Sequence, residues 1–220
     1  IRRINNMIIT LDGPSGSGKS TLAKRLAKVM NFTHIDSGSI YRAIAYYFIT
    51  NGVTSDNYEK SLEDINISYS KNGVLLDGKR LKSEIRTVDV TELSSKIATY
   101  PFVRNYVDNI IKEIAGNTSV VVDGRDIGSS VLPNADFKFY IEADIQKRAA
   151  RRILQIKRKN PESDIAVSDV REDLKIRDDR DKNREYSPLC IPENAIIIDT
   201  TNDSVKESLQ KITRIIRGLD

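Results

Sequence analysis

The chain is poor in the residues that build disulfides and histidine metal sites. Its 220 residues include one cysteine, one histidine and no tryptophan. A single cysteine, Cys190, excludes an internal disulfide and fits a reducing compartment. We expect Cys190 to lie in a packed loop without a catalytic role. His34 has no second histidine with which to hold a metal ion, and packing or surface exposure is the more frequent meaning of such a residue.

Long apolar segments and blocks of a single charge are also missing. No hydrophobic run approaches the roughly 20 residues that cross a bilayer, so we predict no membrane partner and a cytoplasmic location. The 35 basic and 31 acidic residues are interspersed along most of the chain and leave a net charge of +4. Because there is no basic arm, we predict no nucleic-acid partner. We expect a monomer whose partners are small molecules.

The most specific motif in the sequence is a glycine-rich loop near its start. The loop fits the pattern G-x-x-x-x-G-K-[ST], and it lies between a β-prone run and a run with helical spacing, as a phosphate-binding P-loop does. Glycines let backbone N–H groups turn toward anionic oxygens, and the helix that follows adds its positive end. We predict that ATP binds at Gly13, Pro14, Ser15, Gly16, Ser17, Gly18, Lys19, Ser20 and Thr21.

Strands alternate with helices along most of the sequence, which predicts an α/β fold with a mostly parallel sheet flanked by helices. We treat residues 1–220 as a single domain. Besides the strand before the P-loop, β-prone runs occur at 32–36, 119–123, 137–141 and 195–199, the last three with the pattern of buried strands. Helical patterns occur at 40–49, 145–159, 168–182 and 204–217.

The segment at about 60–100 interrupts this alternation. Two β-prone runs flank Lys71-Asn72-Gly73, and Asn-Gly between such runs is a strong hairpin signal. Asp77-Gly78 begins a second tight turn, and helical patterns follow at 83–99 and 102–115. We predict an inserted region, part antiparallel sheet and part helix, near the P-loop end of the main sheet. Ligands of doubly wound sheets bind at that end, so the insertion is placed to cover a substrate.

Two further motifs place charged residues directly after predicted strands. Asp36 ends a strand, and Arg42 lies on the first turns of the helix that follows. This arrangement can bind an anion, although taken alone it is more often a capped helix with a surface arginine. Asp123 ends an apolar strand, which is the Walker-B pattern of a carboxylate that holds Mg²⁺, often through water. Gly124 and Gly128 allow a ligand to approach the backbone closely.

Charged residues also recur at helical spacing in the second half of the chain. Arg177, Asp181 and Arg184 fall at i, i+4 and i+7, on one face of a predicted helix. Mixed charges of this kind usually form a solvated face, but beside a P-loop they suit a ligand with phosphates and sugar hydroxyls. Several arginines without an obvious general base favour an acceptor that is itself a phosphate, since its oxygen needs no deprotonation.

The order and spacing of these motifs resemble bacterial cytidylate kinase, a family of P-loop nucleoside monophosphate kinases. The resemblance extends over nearly the whole chain and rests on Gly13–Lys19, Asp36–Arg42, Asp123–Gly128 and Arg177–Asp181. It implies a P-loop kinase core in which the γ-phosphoryl group of ATP passes to CMP or dCMP, with Mg²⁺ as the cofactor. It also implies that the inserted region binds the nucleoside monophosphate.

The resemblance further implies which residues form the site. The P-loop and Walker-B patterns, rather than the resemblance, predict that Mg²⁺ binds at Ser20 and, directly or through water, at Asp123. The residues that would act on the transferred group are Lys19, Arg125, Arg177 and Arg184. Those that would surround the acceptor nucleotide, chiefly its phosphate, are Ser37, Arg42, Arg125 and Arg184, and those that would reach its sugar are Arg177 and Asp181. The residues that match readers of the cytosine edge are Ser95, Arg104 and Asp126.

The chain departs from the family at Ser20, where bacterial members commonly have glycine, and the serine restores a hydroxyl that can bind magnesium. A charged break at about 155–168 matches a lid, which we expect to close with the insertion and exclude water. Two interpretations stay open for the helix that leads into it. Its side chains Arg148, Arg151 and Arg152 either contact ATP phosphates or form a solvated face.

Two other functions remain compatible with the P-loop alone. One is a different small-molecule kinase, which acts on uridylate, shikimate or a coenzyme precursor. The other is a nucleotide switch or RNA-associated NTPase, which would hydrolyse ATP without an acceptor and respond strongly to salt or RNA. The dedicated insertion and the lack of a basic tail argue against the second alternative.

Overall fold

The computed structural model describes residues 6–70 and 73–218. Its centre is a five-stranded sheet in the order β2-β6-β1-β7-β8, in which all four neighbouring pairs are parallel. The strands are β1 (Ile8–Asp12), β2 (Thr33–Asp36), β6 (Val120–Asp123), β7 (Phe137–Glu142) and β8 (Ile196–Asp199). The predicted α/β fold with a mostly parallel sheet is confirmed.

Eight α-helices connect and cover the strands in the part of the chain that the structure describes. They are α1 (Lys19–Met30), α2 (Ser37–Thr50), α3 (Tyr58–Ser61), α4 (Val88–Ile97), α5 (Pro101–Asn117), α6 (Ile145–Lys159), α7 (Val167–Asn183) and α8 (Val205–Ile216). None of the described helices is long and apolar enough to cross a membrane.

Each face of the sheet has its own hydrophobic core. On one face, Leu22 and Leu26 of α1 and Ile212 of α8 pack with Ile9 and Phe139 of the central strands. A larger core on the other face joins β6 to α2, α4 and α5 and extends into residues 58–90. Because apolar side chains are buried on both faces, β6 reads as the continuous run Val120–Val122 rather than as an alternating pattern.

The small antiparallel sheet predicted within 60–100 is present. It contains β3 (Ile67–Ser70), β4 (Gly73–Leu76) and β5 (Lys79–Arg80). Asp77 and Gly78 join the last two strands, and their φ values of 50° and 75° are those that a two-residue hairpin turn needs. Lys71 and Asn72 of the first predicted turn lie outside the described residues.

Three elements differ from their sequence predictions. The run at 195–199 is not a buried strand, because β8 lies at the sheet edge with Ile196 and Ile197 exposed. The helix predicted at 83–99 is divided into a 3-10 turn, Glu84–Arg86, and α4, because Thr87 is extended and caps α4 through its hydroxyl. Cys190 is exposed rather than packed.

The sheet register explains why the functional motifs come together. Asp36 pairs with Asp123 in register, and Leu11, next to Asp12, pairs with Asp123 from the other side. Three adjacent parallel strands therefore end in carboxylates on the same side of the sheet, at the carboxyl ends of the strands. The P-loop follows β1 on this side, where open α/β sheets bind their ligands.

Candidate active site

The P-loop curls tightly between β1 and α1. Gly13 has a φ of 143°, and a Cβ there would lie 2.1 Å from the Ile141 carbonyl oxygen, so the position excludes every side chain. Gly18 has a φ of 95° and caps α1. The carbonyls of the loop are held from outside: Ser17 O accepts from Thr200 Oγ1 at 2.8 Å. This outward fixing of carbonyls is compatible with N–H groups that face an anion.

Lys19 is the cation of the P-loop sequence Gly13–Thr21. Its side chain is buried, and Nζ donates a hydrogen bond to Pro14 O at 3.0 Å. Burial, together with the neighbouring guanidinium of Arg125, lowers the pKa of Lys19 to about 7. A polyanion bound in the loop would reverse this effect, because it stabilises the charged ammonium.

Ser20 and Asp123, the predicted magnesium ligands, are in contact. The Ser20 hydroxyl donates to Asp123 Oδ2 across the gap between α1 and β6. A hydroxyl and a carboxylate are oxygen ligands of the kind that Mg²⁺ uses in P-loop proteins, where substrate phosphates and waters complete the shell. In the described residues there is no group of three or more His, Cys, Asp or Glu that could hold a metal ion. The oxygen chemistry of the Ser20–Asp123 pair fits a magnesium ion that is shared with a nucleotide.

His34, for which packing or surface exposure is the expected role, contacts Asp123 of this pair. Its Nε2 lies 2.7 Å from Asp123 Oδ1. Burial raises the pKa of Asp123, but the contacts and charges of His34, Ser20 and Lys19 together hold it below its usual range. Only the pairing of β2 with β6 brings the two residues together, and the sequence carries no signal for that pairing.

Asp12 is a second residue that the sequence analysis missed. It is fully buried and accepts hydrogen bonds from the backbone N–H groups of Ile127 at 2.9 Å and Gly128 at 2.7 Å. Asp12 thereby fixes the turn that follows Asp123. At both glycines the protein itself occupies the space that a side chain would fill, and the close approach of a ligand to their backbone stays a prediction. A Cβ on Gly124 would lie 2.5 Å from Ile127.

Burial raises the pKa of Asp12 from 3.8 to about 6. The folded state therefore binds a proton more tightly than the unfolded state, and this contribution to stability is lost as pH rises between those two values. We expect the free energy of unfolding of wild type, minus that of Asp12→Asn, to fall by about 2–3 kcal/mol from pH 4 to pH 7. Urea unfolding of wild type and Asp12→Asn at several pH values measures this difference in unfolding free energy. Asp64→Asn, at an exposed site, controls for the lost carboxylate, and a constant or rising difference would contradict the assignment.

Arg125 joins the P-loop to α7. Its Nη2 donates to Ser15 Oγ at 2.8 Å, and its Nε donates to Asp181 Oδ2 at 2.8 Å. Two residues predicted for the acceptor nucleotide, Arg125 and Asp181, are thus paired with each other. The guanidinium is close enough to Lys19 to lower the pKa of that ammonium.

Asp126 lies between two buried arginines. Its Oδ2 contacts Arg104 Nη2, and its Oδ1 accepts from Arg184 Nη2 at 2.8 Å. Arg104 is held on α5, with Cζ 6.0 Å from the Tyr41 ring centroid. The prediction that Arg184 shares a helix face with Arg177 is wrong, because α7 ends at Asn183 and Arg184 is extended. Its guanidinium reaches Asp126 from the chain beyond the helix.

The start of α2 has the predicted capping geometry. Asp36 caps the helix by accepting from Ser39 N at 3.1 Å, and its other carboxylate oxygen accepts from Arg42 Nη2 at 3.0 Å. The exposed Arg86 also approaches Asp36, at 3.7 Å. Ser37 Oγ donates to Asp123 O at 2.8 Å, so the helix start is fixed beside the Ser20–Asp123 pair.

Arg177 lies among other cations. Burial, together with the guanidiniums of Arg125, Arg152 and Arg42, lowers the pKa of Arg177 to about 10, although Asp181 opposes this effect. Neighbouring guanidiniums repel one another, so they accumulate where an anion is bound. We call these four residues, Arg42, Arg125, Arg152 and Arg177, the arginine cluster.

Ser95 contacts a residue outside the predicted site. Its hydroxyl accepts a hydrogen bond from Arg180 Nη1 at 3.0 Å. Arg180 was not predicted to be part of the site.

The three arginines of α6 differ in their contacts. Arg148 is buried against the P-loop and donates to Ser15 O at 3.0 Å, whereas Arg152 is exposed. Arg151 Nη1 donates to Ser17 O at 3.3 Å. Two of the three arginines therefore contact P-loop carbonyls rather than forming a solvated face.

Known proteins resemble this chain in both sequence and fold. The family model described as cytidylate kinase matches residues 9–218. Among curated relatives, the cytidylate kinase of Alkaliphilus oremlandii is 38% identical over 214 residues, with 96% of this chain and 98% of the relative covered. The cytidylate kinase of Pseudothermotoga lettingae is 39% identical over 213 residues, with 96% and 95% covered.

A solved structure agrees at the level of the fold. The shikimate kinase of Bacteroides thetaiotaomicron has a TM-score of 0.53 at 14% identity, over 96% of this chain and 98% of that one. Identity this low shows a shared P-loop kinase fold and nothing about the substrate. The match of the family model over residues 9–218 is more specific, and it agrees with the motifs at the carboxyl ends of the parallel strands. The chain belongs to the cytidylate kinase family.

Proposed function

We propose that this chain transfers the γ-phosphoryl group of ATP to CMP or dCMP, giving ADP and CDP or dCDP. The observation that carries the proposal is the arginine cluster beside Lys19 and the Ser20–Asp123 pair. Its guanidiniums act on one another, and Arg125 acts on Lys19. Positive charge is therefore concentrated near the P-loop lysine, as a site for two phosphorylated substrates requires. Membership of the cytidylate kinase family supports CMP as the acceptor.

The donor side of the proposed site is the P-loop. ATP lies with its phosphates against Gly13–Thr21, and Lys19 stabilises the charge of the β- and γ-phosphates during transfer. Mg²⁺ is held by Ser20 and, directly or through water, by Asp123. When bound, this ion neutralises phosphate charge. His34 orients the Asp123 carboxylate through the contact at 2.7 Å.

The acceptor side is formed by residues from four different segments. The acceptor phosphate is bound by Ser37, Arg42, Arg125 and Arg184, and the sugar by Arg177 and Asp181. The cytosine edge is read by Ser95, Arg104 and Asp126. Asp126 accepts from the exocyclic amine of cytosine, where uracil has a carbonyl that would face it as a second acceptor and leave both groups unpaired.

The transfer needs no general base. An oxygen of the CMP phosphate attacks the γ-phosphorus, a new P–O bond forms, and the bond to the β-phosphate oxygen breaks to release ADP. Lys19, Arg125, Arg177 and Arg184 stabilise the charge that spreads over the transferred group. We propose that the segments at about 60–100 and 155–168 close over the substrates, because water would otherwise accept the phosphoryl group.

An acceptor panel tests the proposal. Purified protein with Mg-ATP is expected to convert CMP and dCMP to diphosphates, with kcat/KM for UMP lower by at least about a hundredfold. ADP and nucleoside diphosphates are separated and quantified by ion-exchange chromatography. Reactions without an acceptor give the background rate of ATP hydrolysis.

The alternatives predict different products. If the protein forms a diphosphate from UMP or a phosphoester from shikimate, and no CDP from CMP, the chain is a different small-molecule kinase. ATP hydrolysis at the same rate with and without CMP, stimulated by RNA, would identify an NTPase instead.

A further inference from the structure

We propose that Asp178 and Arg148 act together as a positioning pair that fixes the backbone of Ser15, in the P-loop, to the helices α6 and α7. We call this pair the Ser15 clamp. The inference rests on the proposed binding of ATP at the P-loop. It adds the requirement that two helices distant in sequence, α6 and α7, contact the loop and hold it in its binding geometry.

The clamp holds Ser15 through both polar groups of its backbone. Ser15 N donates to Asp178 Oδ1 at 3.1 Å, and Ser15 O accepts from Arg148 Nη1 at 3.0 Å. The same Arg148 Nη1 also pairs with Asp178 Oδ2. The Asp178 carboxylate therefore accepts from the Ser15 N–H, the Arg148 guanidinium donates to the Ser15 carbonyl, and an ion pair joins the two side chains.

Burial makes this arrangement specific. The side chains of Arg148 and Asp178 are only 9% and 8% exposed. Arg148 Nε donates to Ala143 O at 3.0 Å, which anchors the guanidinium to the chain just before α6. A buried ion pair contributes little net stability but is very sensitive to loss of one partner, because the other charge is left without compensation. Such a pair is suited to fixing geometry.

Ser15 also contacts Arg125, a residue of the proposed acceptor site. Ser15 Oγ accepts from Arg125 Nη2 at 2.8 Å, while Arg125 Nε stays bound to Asp181. A displaced Ser15 therefore disturbs the P-loop first, and Arg125 retains its second anchor. The effect should appear in ATP binding more than in CMP binding.

The matched variants are Asp178→Asn and Asp179→Asn, which remove the same charge from neighbouring positions of α7. Asp178 is buried in the clamp, whereas Asp179 is exposed. For Asp178→Asn we expect a Kd for Mg-ATP raised about tenfold, a kcat lowered about tenfold and a KM for CMP within about twofold of wild type. Asp179→Asn should match wild type in all three. Isothermal titration calorimetry and steady-state kinetics at 25 °C measure them.

A merely structural role would lower the unfolding temperature and leave the Kd of the folded fraction unchanged. A Kd for Mg-ATP within twofold of wild type in Asp178→Asn would therefore overturn the inference, whatever the change in stability. If Asp178→Asn does not fold, Asp178→Glu keeps the charge and displaces the acceptor oxygen, and the same criterion applies to it. Strongly non-additive effects of Arg148→Gln and Asp178→Asn in the double variant would support action as one unit.

The readout is independent of the acceptor. Wild type that binds Mg-ATP but does not phosphorylate CMP would contradict the proposed function and leave the clamp intact. Unchanged ATP affinity in Asp178→Asn, in a protein that does phosphorylate CMP, would contradict the clamp alone.

Discussion

Lys19→Met is expected to lower kcat for CMP phosphorylation by about a thousandfold or more, because it removes the buried cation that stabilises the transferred group. The variant should nevertheless stay folded. Burial lowers the pKa of Lys19 to about 7, so the charged ammonium opposes folding, and methionine relieves that penalty. The free energy of unfolding at pH 6 is therefore expected to equal or exceed that of wild type.

Steady-state kinetics and urea unfolding measure both effects of Lys19→Met. Lys24→Met makes the same change at an exposed position of α1 and should leave kcat unchanged. Retention of more than about a tenth of wild-type kcat by Lys19→Met would contradict the role given to this residue.

The second large effect is expected at Asp126, where Asn and Ala should behave differently. Asp126→Asn is expected to reduce the preference for CMP over UMP by about a hundredfold, because an amide can donate to the uracil carbonyl as well as accept. Asp126→Ala removes the shared partner of Arg104 and Arg184, whose side chains are 4% and 6% exposed. We expect Asp126→Ala to lose about 3–5 kcal/mol of unfolding free energy, since two buried cations lose both the negative charge and the acceptor oxygens, whereas asparagine keeps one acceptor oxygen.

The ratio of kcat/KM values for CMP and UMP, measured on each variant at saturating Mg-ATP, checks the first effect. Urea unfolding checks the second. Asp173→Asn, at an exposed position of α7, is the control for charge loss. An unchanged CMP preference in Asp126→Asn would refute the assignment of Asp126 as the base reader.

Contiguous motifs were predictable from the sequence, and contacts between distant strands were not. The P-loop and the strand that ends at Asp123 carry their own local patterns, so the Ser20–Asp123 pair could be predicted. His34 and Asp12 join the site only through the order β2-β6-β1, which periodicity does not specify. Arg184 was assigned to a helix because its spacing fits one, although α7 ends one residue earlier.

Burial was the other property that the sequence misrepresented. The run Ile196–Ile198 is as apolar as Val120–Val122, but one strand is at the sheet edge and the other is next to its centre. Likewise, Arg148 and Arg152 are both arginines on one helix, and only the first turns toward the P-loop. Composition determines which residues can be buried, whereas the packing partners determine which ones are.

The central position of β1 has a consequence for synthesis on the ribosome. β1 is made first, but its two neighbours, β6 and β7, begin only at Val120 and Phe137. At ordinary translation rates the apolar strand waits roughly ten seconds with both edges unpaired. The hairpin strands β3 and β4 pair with near neighbours meanwhile. We therefore expect the P-loop, although it is made before β6 and β7, to be among the last parts to reach its final shape. We also expect the nascent chain to need protection at residues 8–12 until then.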